Sequence, residues 1–330
     1  MKEINSYLKK NDIRATGYKN NGKVVIVDTN IGKLVIKKNS NKDYIFNYLD
    51  SRNFNYYPEI IKKDDYVVSK YIEDIDIPKE QKIQDLIDLV ALMHNKTTHY
   101  KEVSNDEYKK IYEDLTNNYE YLYQYYFDKI SIIDDKVFMS PSEYTLALNI
   151  SYIFNAIEEG KNYLDSWKDM ISDLKKMRLT IVHNNLRLSH YITNNYLVSW
   201  DKAKLDMSIF DLYNLNNNHN LDYSILEILK RYESDYPLKD YERDLFFILI
   251  TMPKKIEFND TEYNMCIEIS KEIDRIKRTH LFIEEYKNSV IRNWIFYHRI
   301  LKKEKNIHII KNSIKKKLNL VKINKVSINW

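Results

Sequence analysis

Between residues 179 and 212 the chain gathers side chains able to move protons or hold charge: His183, Asn185, His190, Ser199, Asp201, Asp206 and Asp211. The two histidines stand seven residues apart, with no Cys or adjacent His to complete a ligand set, so no zinc or iron centre is expected there. Ser199 and Asp201 are two residues apart and in an extended strand would face the same side. Lys37 closes the β-rich run Lys33-Leu34-Val35-Ile36-Lys37, where an ammonium can meet an anionic ligand or simply be solvated. The single Cys266 excludes an internal disulfide framework and a Cys-based zinc cluster, and sits in what reads as a buried helix position. Neither G-x-S-x-G nor a P-loop pattern occurs, and no Gly follows Gly160.

The elements that must position these residues fall into two parts. The first seventy residues read as strands and turns. Lys23–Val27 and Lys33–Lys37 form a hairpin across Asp28–Gly32, Asp43–Asp50 has helical spacing, Pro58 breaks the chain, and Tyr66–Ile72 reads as a strand. Beyond a connector at Glu73–Pro78 the pattern turns helical. Helices are expected over Gln81–His94 and from Ser104 toward Phe127. Another starts at Ser140-Pro141-Ser142-Glu143 and runs toward Lys176 with an interruption near Gly160. Leu179–Ser199 reads as strand-like and Ile209 onward as helical. The Tyr-rich helical faces read as half-buried surfaces rather than stacking platforms. This gives an α+β, bilobal architecture: a small β-rich lobe over 1–72, a large, mainly helical lobe over 73–300, and a cleft between them suited to a ligand.

Composition narrows the class. The 330 residues carry 52 Lys+Arg against 48 Asp+Glu and are 44% hydrophobic, enough for a sizeable core and too apolar for intrinsic disorder. Residues 301–330 hold nine Lys and one Glu, net +8, which leaves about −4 for residues 1–300. The body therefore offers no basic groove for nucleic acid. The densest apolar run, Leu245–Met252, falls far short of the roughly 20 residues that span a bilayer. The N-terminus has no apolar signal core, so a soluble intracellular protein is expected.

The stretch Val182-His183-Asn184-Asn185-Leu186-Arg187-Leu188-Ser189-His190, followed by Tyr196-Leu197-Val198-Ser199-Trp200-Asp201 and Asp206-Met207-Ser208-Ile209-Phe210-Asp211-Leu212, resembles a known catalytic core. It is similar to that of the aminoglycoside phosphotransferase and choline kinase family, whose pattern is H-G-D-x-x-x-x-N, then I-D-W-E, then D-P-x-x-D-L. Leu89-Val90-Ala91-Leu92-Met93-His94 and the first hairpin extend the resemblance over most of residues 20–250. It implies the bilobal protein-kinase-like fold. Lys37 takes the place of the family's phosphate-binding lysine, His183 that of a loop-holding imidazole, and Asp211 that of the helix-start carboxylate bonding the loop backbone.

The positions that carry the reaction differ. The family's catalytic Asp falls on Asn185, its metal-binding Asn on His190, its second metal ligand on Ser199, and its Gly after the first His on Asn184. An Asn amide cannot accept the proton of an attacking hydroxyl, and general-base catalysis alone contributes about 10²–10⁴ in rate. Mg²⁺ prefers hard oxygen donors, which imidazole and a neutral hydroxyl replace poorly. The expectation is a pseudokinase that uses neither cofactor nor metal. The alternative is an ATP- and Mg-dependent small-molecule phosphotransferase in which Asp201 or Asp206 serves a non-standard metal site. The details of residues 183–190 and 199–203, with Met252-Pro253-Lys254-Lys255-Ile256-Glu257-Phe258, resemble in particular the CotS-like spore-coat proteins. That resemblance implies synthesis in the mother-cell cytoplasm, deposition in the spore coat, and protein rather than nucleic-acid partners. The tail over 301–330 reads as a terminal helix with solvated lysines, or alternatively as a basic arm for an acidic partner.

Overall fold

The computed structural model describes residues 2–22, 24–63, 65–102, 105–219 and 223–289, and divides the chain into two units, Met1–Thr279 and His280–Trp330. The expected basic tail, 301–330, and the last part of the expected large lobe lie outside the described residues.

The chain opens with α1 (Lys2–Lys10), followed by the antiparallel meander β1 (Ala15–Asn21), β2 (Val24–Thr29) and β3 (Gly32–Lys38). After α2 (Asp43–Ser51), β4 (Ile60–Lys63) and β5 (Tyr66–Lys70) complete a five-stranded sheet in the order β1-β2-β3-β5-β4. Alternate residues Leu34 and Ile36, with Val27 and Val68, turn to one face and bury against Ile4 and Leu8 of α1. The sequence pattern predicted neither α1 nor β1 and β4. Ile4, Tyr7 and Leu8 are the apolar residues of a short, Lys-rich helix, and β1 is so polar that pairing with β2, not its own pattern, makes it a strand.

The larger part begins with α3 (Lys79–Thr97), β6 (His99–Glu102), α4 (Asn105–Asp134) and α5 (Pro141–Ser172). Ser140 caps α5, its side chain accepting from Glu143 N while the Glu143 carboxylate returns to Ser140 N. Gly160 does not interrupt α5. The Tyr119 ring occupies the space a Cβ would need, so the glycine marks a close helix–helix approach rather than a break. Tyr119 and Tyr126 of α4 are fully buried, and the Tyr119 hydroxyl donates to Ile248 O at 2.6 Å. Tyr121 and Tyr123 are exposed and Tyr112 and Tyr125 are half-buried, so this tyrosine-rich helix buries one side and exposes the other.

The segment from 176 to 206 is also not one strand. It comprises β7 (Lys176–Val182), a 3-10 turn (Leu188–His190), the two-residue strands β8 (Tyr191–Ile192) and β9 (Tyr196–Leu197), a second 3-10 turn (Trp200–Lys202) and β10 (Lys204–Asp206). β7 is the buried centre of a three-stranded sheet ordered β10-β7-β6. It is anchored by Arg178, whose Nε donates to Glu242 Oε1 at 3.0 Å and whose guanidinium lies 4.2 Å from the Tyr236 ring centroid. The unit continues with α6 (Ile209–His219), α7 (Ile225–Asp235), α8 (Asp240–Thr251) and helical residues 262–279. Arg275 donates to Ile250 O at 2.7 Å and Met252 O at 3.0 Å, satisfying carbonyls at the end of α8.

Candidate functional site

β7 delivers His183 at its C-terminal end, and Asp211 in the first turn of α6 receives it. The fully buried Asp211 accepts His183 N at 2.8 Å through Oδ2 and Asn184 N at 2.6 Å through Oδ1. His94, also fully buried, reaches Asp211 Oδ2 from Nε2 at 3.1 Å, and its Nδ1 lies 2.6 Å from the Tyr232 hydroxyl. A buried carboxylate with three donors is well satisfied, so Asp211 holds backbone rather than substrate. Asn184 has φ 55°, a left-handed conformation that asparagine tolerates better than most residues.

The His183 ring donates from Nε2 to Val198 O at 2.8 Å, because the carbonyl can only accept, and Nδ1 has no hydrogen-bond partner. Burial drives its pKa below the ordinary value, keeping the imidazole neutral. His190 Nδ1 donates to Asn185 O at 2.7 Å, and the two histidine rings lie 5.9 Å apart. Desolvation lowers the pKa of His190 as well; Arg187 and Lys37 push the same way, while the Asn185 carbonyl and Asp201 oppose them.

Ser199 and Asp201 do not face one side of a strand. Ser199 is left-handed at φ 68° and starts the 3-10 turn that contains Asp201, so the two-residue alternation does not apply. The turn instead swings Asp201 toward the small lobe, where its Oδ1 meets Lys37 Nζ at 2.6 Å. Asp206 is engaged separately, accepting Met207 N at 2.8 Å and pairing with Lys204 at 2.5 Å. The structure thus brings Lys37, His183, Asn185, His190 and Asp201 into one cluster, with Asp206 held by its own neighbours.

Contacts that the sequence pattern missed fasten this cluster between the lobes. Trp200 is buried beside Phe46, Phe54 and Tyr57 of the small lobe, with ring centroids at 6.0, 6.5 and 6.3 Å, and 5.0 Å from His183. Leu197 N donates to Tyr56 O at 2.8 Å. Asp74 of the connector accepts Thr193 N at 2.9 Å and Thr193 Oγ1 at 2.8 Å, and pairs with Lys82 at 2.6 Å. The sequence signal for the aromatic nest is the run Phe54, Tyr56 and Tyr57 before Pro58, whose partner in Trp200 is distant in sequence.

Phosphoryl transfer needs a base for the hydroxyl and oxygen ligands for Mg²⁺. Asn185, His190 and Ser199 supply an amide, an imidazole and a neutral hydroxyl, which do not fit that ion. Among the described residues no group of three or more His, Cys, Asp or Glu is placed to hold a metal.

No protein-family model matches the chain, and no curated protein matches it in sequence. Solved structures do match. The aminoglycoside phosphotransferase from Alicyclobacillus acidocaldarius superposes with a TM-score of 0.65 over 84% of this chain and 93% of that one, at 11% identity. Spectinomycin phosphotransferase in complex with AMP gives 0.54 over 84% and 98%, at 10% identity. The same enzyme with ADP and spectinomycin gives 0.52 over 85% and 98%, at 12% identity. The fold is therefore the bilobal, protein-kinase-like fold of the aminoglycoside phosphotransferases, with a β-sheet lobe and a mainly helical lobe.

Proposed function

We propose that this chain is a catalytically impaired kinase-like protein that acts by binding, as a scaffold, rather than by transferring phosphate. The observation that carries this reading is the fate of the charges in the cleft. By the sequence resemblance, Asn185, His190 and Ser199 take the positions of the family's reacting groups. Asp201, a candidate replacement carboxylate, is neutralised by Lys37 at 2.6 Å. The lysine that would meet a phosphate and the acid that would meet a metal are spent on each other. The alternative, a phosphotransferase using Asp201 or Asp206, requires this ion pair or the Lys204–Asp206 pair to open. Thermal melting with ATP, with and without Mg²⁺, separates the two: an unchanged midpoint fits the scaffold, and a strong Mg²⁺-dependent rise overturns it.

The resemblance of residues 183–190, 199–203 and 252–258 to CotS-like spore-coat proteins supports a setting in sporulation, with the protein made in the mother cell and retained in the coat. No described helix is long and apolar enough to cross a membrane. Fractionation of purified spores tests this: recovery in the coat extract fits the proposal, and recovery only from vegetative cytoplasm overturns it.

A further inference from the structure

The solvent face of α5 is unusual for this chain. Although 30% of all residues are charged, Ser140 to Ile157 contains a single charge, Glu143, and that one is turned back onto Ser140 N at 2.9 Å and onto Lys136. The residues this segment exposes are Pro141, Tyr144, Leu148, Ser151, Tyr152 and Asn155. Just before it, Val137 and Phe138 are each 88% exposed; Leu148 is 61%, Tyr144 57% and Tyr152 40% exposed. Tyr123 and Phe127 of α4 extend the patch, stacked at 6.2 Å, with Tyr123 touching Phe154 of α5. Lys161 lies over Tyr123 at 5.7 Å and Lys277 over Tyr152 at 4.4 Å.

We propose that this face binds a second copy of the chain in a two-fold dimer. Depletion of charge with enrichment in Tyr, Phe and Met is the composition of a protein–protein interface core, and the bordering lysines form its polar rim. Taking about 200 Å² for a whole aromatic side chain, the exposed fractions of these residues sum to the order of 800 Å². That exceeds the roughly 300–600 Å² of the largest patch on a typical monomer. It is of the order of the roughly 800 Å² that each partner buries in a standard stable interface. A face without charge complements another such face, and this chain supplies one. The pattern is also symmetric: Tyr144 and Tyr152 lie four residues either side of Leu148, all three exposed. Two antiparallel copies of α5 crossing at Leu148 set Leu148 on Leu148 and each Tyr144 against the other copy's Tyr152, the reciprocal contacts of an isologous interface. The i±4 ridge these residues form is the one that interdigitates in the commonest helix packing.

Sedimentation of the full chain at about 10 μM, a concentration at which a micromolar interface is largely formed, reads the outcome. The expected species has twice the 40.0 kDa chain mass, and Leu148→Glu reduces it to the monomer while leaving the far-ultraviolet circular dichroism spectrum unchanged. In a Cys266→Ser background, Leu148→Cys is expected to give a disulfide-linked dimer on mild oxidation, whereas Ile31→Cys, exposed in the small lobe, is not. A monomeric parent overturns the proposal. So does a dimer indifferent to Leu148→Glu that also fails to cross-link through position 148. A monomer that floats with phosphatidylcholine vesicles through this face assigns it to lipid and overturns the proposal equally.

Discussion

Lys37, near the end of the third strand of the small lobe, and Asp201, in a 3-10 turn of the large lobe, meet at 2.6 Å although 164 residues separate them. Their side chains are 20% and 42% exposed, so the pair is partly screened and is worth about 0–1 kcal/mol to stability. Its consequence lies in chemistry: in the proposed scaffold reading the lysine and the carboxylate occupy each other, and Ser199 and Asn185 add no charge.

For that reason Lys37→Ala and Asp201→Asn are expected to shift the urea midpoint by an amount equivalent to no more than about 1 kcal/mol each. A double-mutant cycle in urea measures the coupling. A loss of several kcal/mol in either single variant contradicts a partly solvated pair.

Asp211→Ala should be far more damaging, because it strands two backbone donors and His94 in a fully buried site. Each buried polar group left without its partner costs about 1–3 kcal/mol. Calorimetry of the variant checks this, and a parent-like melting curve contradicts a structural role for Asp211.

Gly160→Ala replaces the poorest ordinary helix former with the best, a change that adds about 1 kcal/mol in an open helix. Here it is expected to destabilise by about 1–3 kcal/mol through overpacking, because the new methyl collides with the Tyr119 ring. In a double-mutant cycle, loss of the Gly160→Ala penalty in a Tyr119→Ala background identifies the collision as the cause.

How much of this was legible in the sequence depends on how local the signal is. The meander strands β2 and β3, the Ser140 cap and the helical character of the large lobe follow from alternation, capping chemistry and 3.6-residue spacing. Strand β1 and helix α1 do not, because their positions are fixed by a sheet partner rather than by their own residues. At the site, the residue types Asn185, His190 and Ser199 were readable, but the strand alternation that would align Ser199 with Asp201 fails. One left-handed residue at Ser199 resets the direction of the chain. The Lys37–Asp201 pair and the Trp200 nest are tertiary facts with no short-range trace.

Burial lowers the pKa of both His183 and His190 below 6.5. As pH falls through 6.5 the unfolded chain binds protons that the folded chain refuses, so their contribution to stability is full above that value and lost below it. The urea midpoint is expected to fall between pH 7.5 and pH 5.5, and to fall less in a His183→Gln, His190→Gln double variant. A midpoint constant over that interval contradicts neutral, desolvated imidazoles.

Whether the cleft still moves phosphate is read most directly by incubating the purified chain with γ-labelled ATP and Mg²⁺ and following the label. No transfer or release above the protein-free control is expected, and Asp201→Asn leaves that unchanged. Turnover at about 1 s⁻¹ or faster, within the ordinary range of kinases and abolished by Asp201→Asn, would contradict the loss of the reaction.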